Sequence, residues 1–224
     1  SITPYDMMDE VGNGEYYESA CPTCFKHEYG RYSHDYKPAP IFHHWNNENR
    51  ENSLHFGVEL EVEGQEGWEF INDQNDSIDE RYFYFKYDGS LDDENGVEIV
   101  SHPMTLPVAL IQWKKMFDII NKYQLDNLNN CGLHIHLDKK YLNERQLRNI
   151  DYIVNNFTKT IYEIGGRDIN INEWSIKTIK NIMEWGHDVT EDKYRAVHFC
   201  KNTIELRCFN STVDWEAFKF IIVA

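Results

Sequence analysis

Residues 56–63 place three carboxylates at alternate positions of one short stretch. The order is Phe-Gly-Val-Glu-Leu-Glu-Val-Glu, so Glu59, Glu61 and Glu63 would share one face of a β-strand while apolar residues occupy the other. Glutamate is a poor strand former, and like charges that share a strand face repel each other. This arrangement therefore needs either open water or a bound cation to be tolerated.

Two later stretches repeat the same design. The run Cys-Gly-Leu-His-Ile-His-Leu-Asp sets His134 and His136 against apolar side chains, and the run Thr-Ile-Glu-Leu-Arg-Cys-Phe does the same with Glu205 and Arg207. If the three stretches pair in one sheet, one side of that sheet is a hydrophobic core. The other side then carries carboxylates, imidazoles and an arginine.

Carboxylates and imidazoles gathered in one place are ligands for hard divalent ions such as Mg²⁺ or Mn²⁺. Four glutamates would over-charge a single Mg²⁺, so more than one ion is expected. Arg207 has no role as a metal ligand, but its planar guanidinium grips phosphate in bidentate fashion. The combination indicates nucleotide phosphates and phosphoryl transfer, at a site without a Gly-rich phosphate loop. The candidate metal ligands are Glu59, Glu61, Glu98, His134, His136 and Glu205.

Each of these residues could also have a purely structural role. A single Glu on a strand face is most often solvated, the two histidines could be half-buried and hydrogen-bonded, and Glu205 with Arg207 could form ordinary ion pairs. Repetition of one design in three distant stretches favours the functional interpretation. Glu63 has no partner elsewhere in the pattern, and we expect it at the rim or in solvent.

Residues 1–52 differ in composition and pattern from the rest of the chain, because they are polar, rich in turn-forming residues and without periodicity. Cys21 and Cys24 form a C-x-x-C, which is half of a zinc site. No second C-x-x-C follows, so His43 and His44 are the candidate partners among several nearby histidines. The alternative is a loop with two free thiols. We expect an irregular N-terminal segment over 1–52, with a candidate zinc-binding knuckle, and a catalytic domain over 53–224.

Strand-like and helical patterns alternate irregularly through the catalytic domain. Strands are predicted at 54–64, 82–87, 97–100, 131–138, 194–199 and 203–209, several of them joined by short turns, which favours an α+β fold with a mostly antiparallel sheet. Residues 65–81 read as a loop and, by position only, as a candidate lid. A helix capped by Thr105 should bury Val108, Ile111, Phe117 and Ile120. A long helix from Asn143, with Gln146 completing a capping box, should run to Gly165 on an apolar face that includes Ile153 and Phe157; further helices are predicted at 172–186 and from Asp214.

The bulk composition excludes several classes of function. The 224 residues carry a formal net charge of −16, which argues against broad contact with nucleic acid or anionic lipid. No apolar run approaches the ~20 residues of a membrane span, and no signal peptide or disulfide framework is evident. We expect a cytoplasmic protein. The last residues read as a helix in progress, so we expect further native chain at the C-terminus.

Five motifs, taken in order, resemble those of the amidoligase family. That family occurs largely in phages, bacteria and fungi and is related to glutamine synthetase and glutamate–cysteine ligase. The resemblance covers about residues 54–220 and leaves 1–52 outside, although cysteine-containing N-terminal extensions are familiar in phage members. The motifs are F-G-V-E-L-E-V-E, D-G-S-L from Asp88, V-E-I-V-S-H-P from Val97, C-G-L-H-I-H from Cys131 and T-I-E-L-R-C-F from Thr203.

The resemblance implies the curved, mostly antiparallel sheet of glutamine synthetase, backed by helices, and ATP-dependent amide formation. ATP would phosphorylate a carboxylate, and an amine would attack the acyl phosphate. Glu59, Glu61, Glu98 and Glu205 match metal ligands for Mg²⁺ or Mn²⁺. His134 or His136 matches a residue that holds metal or nucleotide phosphates, and Arg207 matches the arginine for the transferring phosphoryl group. Asp88 matches the acid of the D-G-S motif, with its role open between substrate amine and structure, and it is a catalytic candidate together with Glu98 and Arg207. Arg167 and Arg195 resemble positions for substrate carboxylate or phosphate.

Two other functions use the same residue types. One is a metal-dependent phosphohydrolase or nucleotidyltransferase, and the other is a non-catalytic nucleotide-binding protein. The full set of motifs favours the ligase over a decayed site. The substrates are expected to be a small-molecule or peptide carboxylate and an amine. The loops carry no signature for either substrate, and the sequence leaves the oligomeric state open.

Overall fold

The computed structural model describes residues 8–11, 15–18, 38–64, 67, 70, 73, 79–86, 91, 96–127, 131–166 and 196–223. Several sequence predictions lie outside these ranges and stay predictions: Cys21, Cys24, Asp88, Arg167, Arg195 and the helix at 172–186.

A six-stranded antiparallel sheet forms the centre of the described chain. Its strands are β3 (Phe56–Glu63), β4 (Phe83–Lys86), β5 (Gly96–Ser101), β6 (Gly132–Asp138), β7 (Val197–Phe199) and β8 (Thr203–Asn210), in the spatial order β4-β5-β3-β6-β8-β7. A separate two-stranded sheet joins β1 (Met8–Val11) and β2 (Glu15–Glu18). The prediction of an α+β fold with an antiparallel sheet is confirmed.

The register of the central strands follows from the alternation in their sequences. In β3 the apolar residues Val58, Leu60 and Val62 are buried in the hydrophobic core, which fixes the opposite face for the glutamates. Pairing then sets Glu59 opposite His134 on one side of β3. A one-residue slip would turn all of these side chains to the other face, so burial of the apolar set specifies the register.

In the described part of the chain, four helices back the apolar side of the sheet. They are α1 (Leu106–Lys122), α2 (Glu144–Asn156), α3 (Thr158–Ile164) and α4 (Trp215–Val223), with a short 3₁₀ turn at Lys139–Tyr141. The rings of Trp113 and Phe117 from α1 contact Phe218 of α4. None of the helices in the described ranges combines the length and the apolar character that crossing a bilayer requires.

The buried face of α1 differs from the predicted one. Val108, Phe117 and Ile120 are buried as expected, but Ile111 is 42% exposed. Trp113 and Met116 are buried instead, because the helix is rotated so that its largest side chain fills the core. Thr105 stands at the N-cap position, but its hydroxyl donates to Glu48 Oε2 at 2.6 Å rather than capping the helix.

The predicted long helix after Asn143 is two helices. Its start is as expected, since Asn143 and Gln146 form a capping box. Residue Phe157 leaves helical geometry, with φ −110° and ψ 28°. Just before it, the Asn155 and Asn156 side chains donate to backbone carbonyls four residues back, where they compete with the backbone ladder. The predicted apolar face is wrong at this point, because Ile153 and Phe157 are 47% and 55% exposed.

Residues 38–52 pack against the end of the sheet that carries the start of β3. His43 bridges to Met104 through the backbone, and Arg50 forms an ion pair with Asp138 at 3.3 Å. The hydrogen bond from Thr105 to Glu48 adds a third contact. The domain boundary at residue 52 stays a prediction, but this last part of the N-terminal segment contributes one wall of the cleft described below.

Candidate active site

One face of the central sheet carries a row of buried charged side chains. Glu59, Glu61, Glu98 and Glu205 are between 2% and 7% exposed. Transfer of a charged carboxylate out of water is costly unless a cation or hydrogen-bond donors compensate it. The interpretation of these residues as solvated strand side chains is therefore wrong, and the face must supply compensating charge.

The most compact part of this row is a triad of two carboxylates and one imidazole. His134 Nδ1 lies 3.5 Å from Glu59 Oε2 and 3.7 Å from Glu205 Oε1. Ligand atoms of all three residues lie within 4.8 Å of one another, and all three residues are buried. Strand pairing explains the convergence, because Glu59 and His134 are opposite each other in β3 and β6, and Glu205 comes from the next strand, β8. The donor set suits a hard divalent cation.

A second pair of carboxylates lies further along β3. Glu61 and Glu98 are opposite each other across β3 and β5, and Lys86 Nζ donates to Glu98 Oε2 at 2.6 Å. Burial, followed by the charge of Glu59, raises the pKa of Glu98 to about 8, although Lys86 acts in the opposite direction. The backbone N–H of Gly132 donates to Glu61 Oε2. Two paired carboxylates on neighbouring strands are a donor set that suits a second divalent cation.

Glu205 contacts several basic side chains on the same sheet face. Its Oε1 accepts a hydrogen bond of 2.6 Å from Arg207 Nη1, and its Oε2 lies 3.0 Å from His198 Nδ1. Burial acts to raise the pKa of Glu205, but the charges of His136, Arg207 and His134 outweigh burial and lower it. Glu205 is thus held as a carboxylate within reach of several cationic or metal-binding groups.

His136 completes the row between Glu59 and Glu205. Its Nε2 lies 3.2 Å from Glu59 Oε2 and 3.9 Å from Glu205 Oε1. Burial alone would lower the pKa of His136, but the charge of Glu59, a contact with Cys200 and the charge of Glu205 together raise it to about 10. The imidazole is therefore cationic at neutral pH when these carboxylates are its only ionic partners.

A cleft of about 450 Å³ opens beside Glu59 and His136. At its polar end lie Glu59, His136 and Gly57, and it extends to Arg50 and Asp138. Much of the wall between is aromatic or apolar, formed by Pro38, Pro40, Phe42, Tyr84, Val100 and Pro103. A concave site with apolar walls and a charged end has the character of a small-molecule pocket.

His55 lies in the wall of this cleft with no exposed surface. Its Nδ1 is 2.8 Å from the Ser53 carbonyl oxygen, so this nitrogen is the protonated donor and Nε2 is an acceptor. Among the described residues, no hydrogen-bond donor reaches Nε2. Burial lowers the pKa of His55, which keeps the ring neutral. The wall of the cleft therefore contains a buried acceptor atom that no donor of the described residues reaches.

The structure brings most of the predicted site residues onto one sheet face: Glu59, Glu61, Glu98, His134, His136, Glu205 and Arg207. Their roles stay predictions. Glu63 is a correction, because it is 5% exposed rather than in solvent. The chain after α1 covers that end of β3, where Glu63 and Asp126 exchange backbone hydrogen bonds.

The histidines proposed for zinc are placed differently from each other. His43 Nε2 donates to the Arg81 carbonyl oxygen at 2.5 Å, and its ring lies against Tyr82. His44 is exposed. Zinc binding with Cys21 and Cys24 stays a prediction, in which His44 is the less engaged of the two histidines.

Four residues at the site were not predicted from the sequence. Lys86 and Tyr84 alternate on β4, so the strand period could have placed both on the polar face once pairing with β5 was known. His198 is opposite Glu205 in the β7–β8 hairpin. Cys200 follows in the turn of the same hairpin, and nothing in its local sequence indicates a site.

Buried carboxylates, imidazoles and an arginine lie together on one face of an antiparallel sheet, beside a pocket, an arrangement typical of an enzyme active site. Comparison of sequences gives the narrower class. The family described as "putative amidoligase enzyme" matches residues 47–196, and the chain belongs to that family. The match includes β3 to β6, whereas Glu205 and Arg207 lie beyond its end. No curated protein and no solved structure gives a significant match.

Proposed function

We propose that this amidoligase joins a carboxylate to an amine at the expense of ATP, with Mg²⁺ or Mn²⁺, through an acyl phosphate. The observation that carries the proposal is the triad of Glu59, His134 and Glu205, with the guanidinium of Arg207 bonded to Glu205. Family membership supports amide formation. The buried anionic face supports divalent cations, and the arginine beside them supports phosphate.

The residues present fit two cations. Glu59, His134 and Glu205 would hold one, and Glu61 with Glu98 would hold the other, with Lys86 displaced from Glu98. Divalent cations neutralise phosphate oxygens and make the γ-phosphorus more electrophilic. The raised pKa of Glu98 has its physical cause in crowded, buried carboxylates, and this is the electrostatic situation that a bound cation relieves.

Arg207 is suited to the transferring phosphoryl group. Its Nη1 is used by Glu205, but its buried Nε has no hydrogen-bond partner among the described residues. A guanidinium carries five N–H donors, so donors remain for phosphate oxygens. Glu205 fixes the orientation of the side chain, and preorganised donors of this kind stabilise charge that develops in the transition state.

The cleft supplies a place for the nucleotide. Its charged end at Glu59 and His136 adjoins the triad, and Phe42, Tyr84 and the prolines offer an apolar wall for a base. In this arrangement the phosphates lie towards the carboxylate row and His136, which is cationic, contacts them.

The proposed reaction has two steps. An oxygen of the substrate carboxylate attacks the γ-phosphorus of ATP, and the bond to ADP breaks. The amine nitrogen then attacks the acyl carbon, phosphate leaves, and the nitrogen loses a proton to a carboxylate of the face or to water. Exclusion of water matters for the first product, because acyl phosphates hydrolyse. A curved sheet of the glutamine synthetase type would provide this shelter.

Hydroxylamine as the amine tests the chemistry. The full chain is incubated with ATP, Mg²⁺, hydroxylamine and a panel of carboxylates that includes L-glutamate and γ-glutamyl peptides. We expect a hydroxamate in equal amount with ADP and phosphate. Release of AMP and pyrophosphate would replace the acyl phosphate with an adenylate, and ADP formation without hydroxamate would indicate a phosphohydrolase. A Glu61→Gln variant should lose the rise in Tm that ATP with Mg²⁺ gives the wild type.

A further inference from the structure

A thiol lies at the edge of the carboxylate row, beside Glu205. Cys200 Sγ is 3.5 Å from His198 Nδ1 and 3.8 Å from Glu205 Oε2. His198 Nδ1 in turn lies 3.0 Å from the same Glu205 oxygen. Three different ligand types, a thiol, an imidazole and a carboxylate, therefore face one small volume.

The β7–β8 hairpin positions this group. His198 is paired directly with Glu205 in the register of β7 and β8, and Cys200 begins the turn between these strands. His136 approaches from β6, where it is also paired with Glu205. Ligand atoms of His136, Cys200 and Glu205 all lie within 4.8 Å of one another. Two histidines thus border the thiol and the carboxylate from neighbouring strands.

These separations suit a tetrahedral transition-metal site. Zinc bonds of about 2.3 Å to sulfur and about 2.0–2.1 Å to nitrogen or oxygen, at tetrahedral angles, put neighbouring ligand atoms roughly 3.3–3.6 Å apart. The distance between Cys200 and His198 is 3.5 Å, and the other two separations in the group are 3.0 and 3.8 Å. For Cys200, His198 and Glu205, only small side-chain adjustments would be needed to bind one metal ion.

We propose that Cys200, His198 and Glu205, with His136 at the border of the group, bind Zn²⁺. A thiolate selects zinc or another borderline metal over Mg²⁺, which prefers oxygen. This zinc site is separate from the one predicted at the N-terminal cysteines, and it does not rest on ligase activity.

The two carboxylate oxygens of Glu205 face different proposed metal sites. Oε1 faces His134 and Arg207, on the side of the triad. Oε2 faces His198 and Cys200, on the side of the thiol. One carboxylate therefore belongs to both sites, and zinc at Oε2 draws charge from the group that would hold Mg²⁺ at Oε1. The thiol site is placed to sense or restrain the triad through this shared ligand.

Titration with Co²⁺ tests the site without any substrate. The full chain carries Cys21→Ser and Cys24→Ser, so that the N-terminal thiols do not contribute. A thiolate bonded to Co²⁺ gives a charge-transfer absorption in the near ultraviolet, and we expect this band to saturate at one equivalent and to be displaced by Zn²⁺. Cys200→Ser should remove the band, and His198→Ala should weaken Co²⁺ binding at least tenfold, as loss of groups at metal sites commonly does.

Matched variants separate this proposal from the ligase proposal. Cys208→Ala removes a buried thiol from the opposite face of β8 and should leave the band unchanged. Glu59→Gln should weaken Mn²⁺ binding at the triad at least tenfold but keep the thiolate band. A parent protein without the band, or a band that persists in folded Cys200→Ser, would overturn the zinc site while leaving the ligase proposal intact. Circular dichroism of each variant checks that it is folded.

Discussion

Lys86 and Glu98 form a hydrogen-bonded ion pair within the sheet, with 2.6 Å between Nζ and Oε2. The two residues are opposite each other in β4 and β5, so the pair is a direct product of strand register. It supplies a positive charge at the end of a row of buried carboxylates. The charge of Lys86 does not offset the burial of Glu98 and the charge of Glu59, which still raise the pKa of Glu98 to about 8.

The first prediction concerns pH. Glu98 has a folded-state pKa of about 8 against an ordinary value of 4.5. Between these pH values the native state holds a proton that the unfolded chain has lost, so stability falls as pH rises towards 8. His136 has a folded-state pKa of about 10 against 6.5, and its stabilising contribution is lost as pH rises through that range. In EDTA, the Tm should therefore fall steadily between about pH 7 and pH 9.

Calorimetry across that pH range measures the effect, and two additions control it. Glu98→Gln should make the fall shallower below about pH 8, since one of the two titrating groups is gone. Mn²⁺ should oppose the fall, because a metal bound to carboxylates gains affinity as they lose protons. A Tm that is flat or rises with pH in EDTA contradicts the electrostatic description of this face.

A second prediction isolates the lysine. Lys86→Met keeps most of the side-chain volume but leaves Glu98 without its cation, and breaking a buried pair in this way costs about 3 kcal/mol when the remaining group is charged. The loss should be larger at pH 9 than at pH 6, where Glu98 can take up a proton instead. Urea unfolding at both pH values measures it. Lys114→Met, at an exposed pair on α1, should change stability by no more than about 0.5 kcal/mol.

The third prediction compares two glutamates of β3. Glu59→Gln removes a carboxylate from the triad and should weaken Mn²⁺ binding at least tenfold, as losses at metal sites do. Glu63→Gln is the matched control, because Glu63 points to the same face and is also buried but lies at the far end of the strand. Electron paramagnetic resonance of free Mn²⁺ measures both affinities. Equal losses in the two variants would show a general effect of charge rather than a site.

The sequence could predict which side chains of the site share a sheet face, because polar and apolar residues alternate along the strands. Alternation in β3, β6 and β8 placed Glu59, His134 and Glu205 on a polar face, because burial of the apolar side leaves only one register. The family resemblance drew on the same residues. Three-dimensional proximity then followed from strand order, which the sequence alone did not specify.

What could not be predicted depended on contacts between distant segments. Burial of Glu63 results from the chain after α1, which passes over the end of β3 at Asp126. The rotation of α1 follows from packing of Trp113 against Phe218, more than a hundred positions away in the chain. Cys200 lies in a turn, where no period applies, so its approach to Glu205 could be found only from the hairpin itself.

A fourth prediction tests the cleft. Gly57 is opposite His136, lines the cleft and has extended backbone, so a side chain can be placed there without strain from φ. A Cβ would lie 3.3 Å from the Ser101 carbonyl oxygen, a tight contact that Ala can adopt with a small shift. Gly57→Leu should fill the charged end of the cleft and weaken binding of Mn²⁺ with a non-hydrolysable ATP analogue at least tenfold, a loss of about 1.4 kcal/mol.

Calorimetric titration measures this affinity in three proteins. Gly57→Ala should bind the analogue within a few-fold of wild type, and both variants should bind Mn²⁺ alone as wild type does, because Glu59, His134 and Glu205 are untouched. If folded Gly57→Leu binds the nucleotide normally, the nucleotide lies elsewhere and the cleft belongs to the other substrates or to none.

The last prediction concerns Arg207, whose guanidinium both orients Glu205 and is proposed to contact the transferring phosphoryl group. Arg207→Lys keeps the charge but loses the planar fork, so kcat for hydroxamate formation should fall by roughly 10²–10³, as for loss of one preorganised donor. Mn²⁺ affinity should change little, because Lys can still pair with Glu205. Arg148→Lys, at an exposed pair on α2, is the control and should be silent. If Arg207→Lys instead weakens Mn²⁺ binding in proportion to kcat, the arginine acts only by holding Glu205 in place, and the phosphoryl contact must come from another cationic residue.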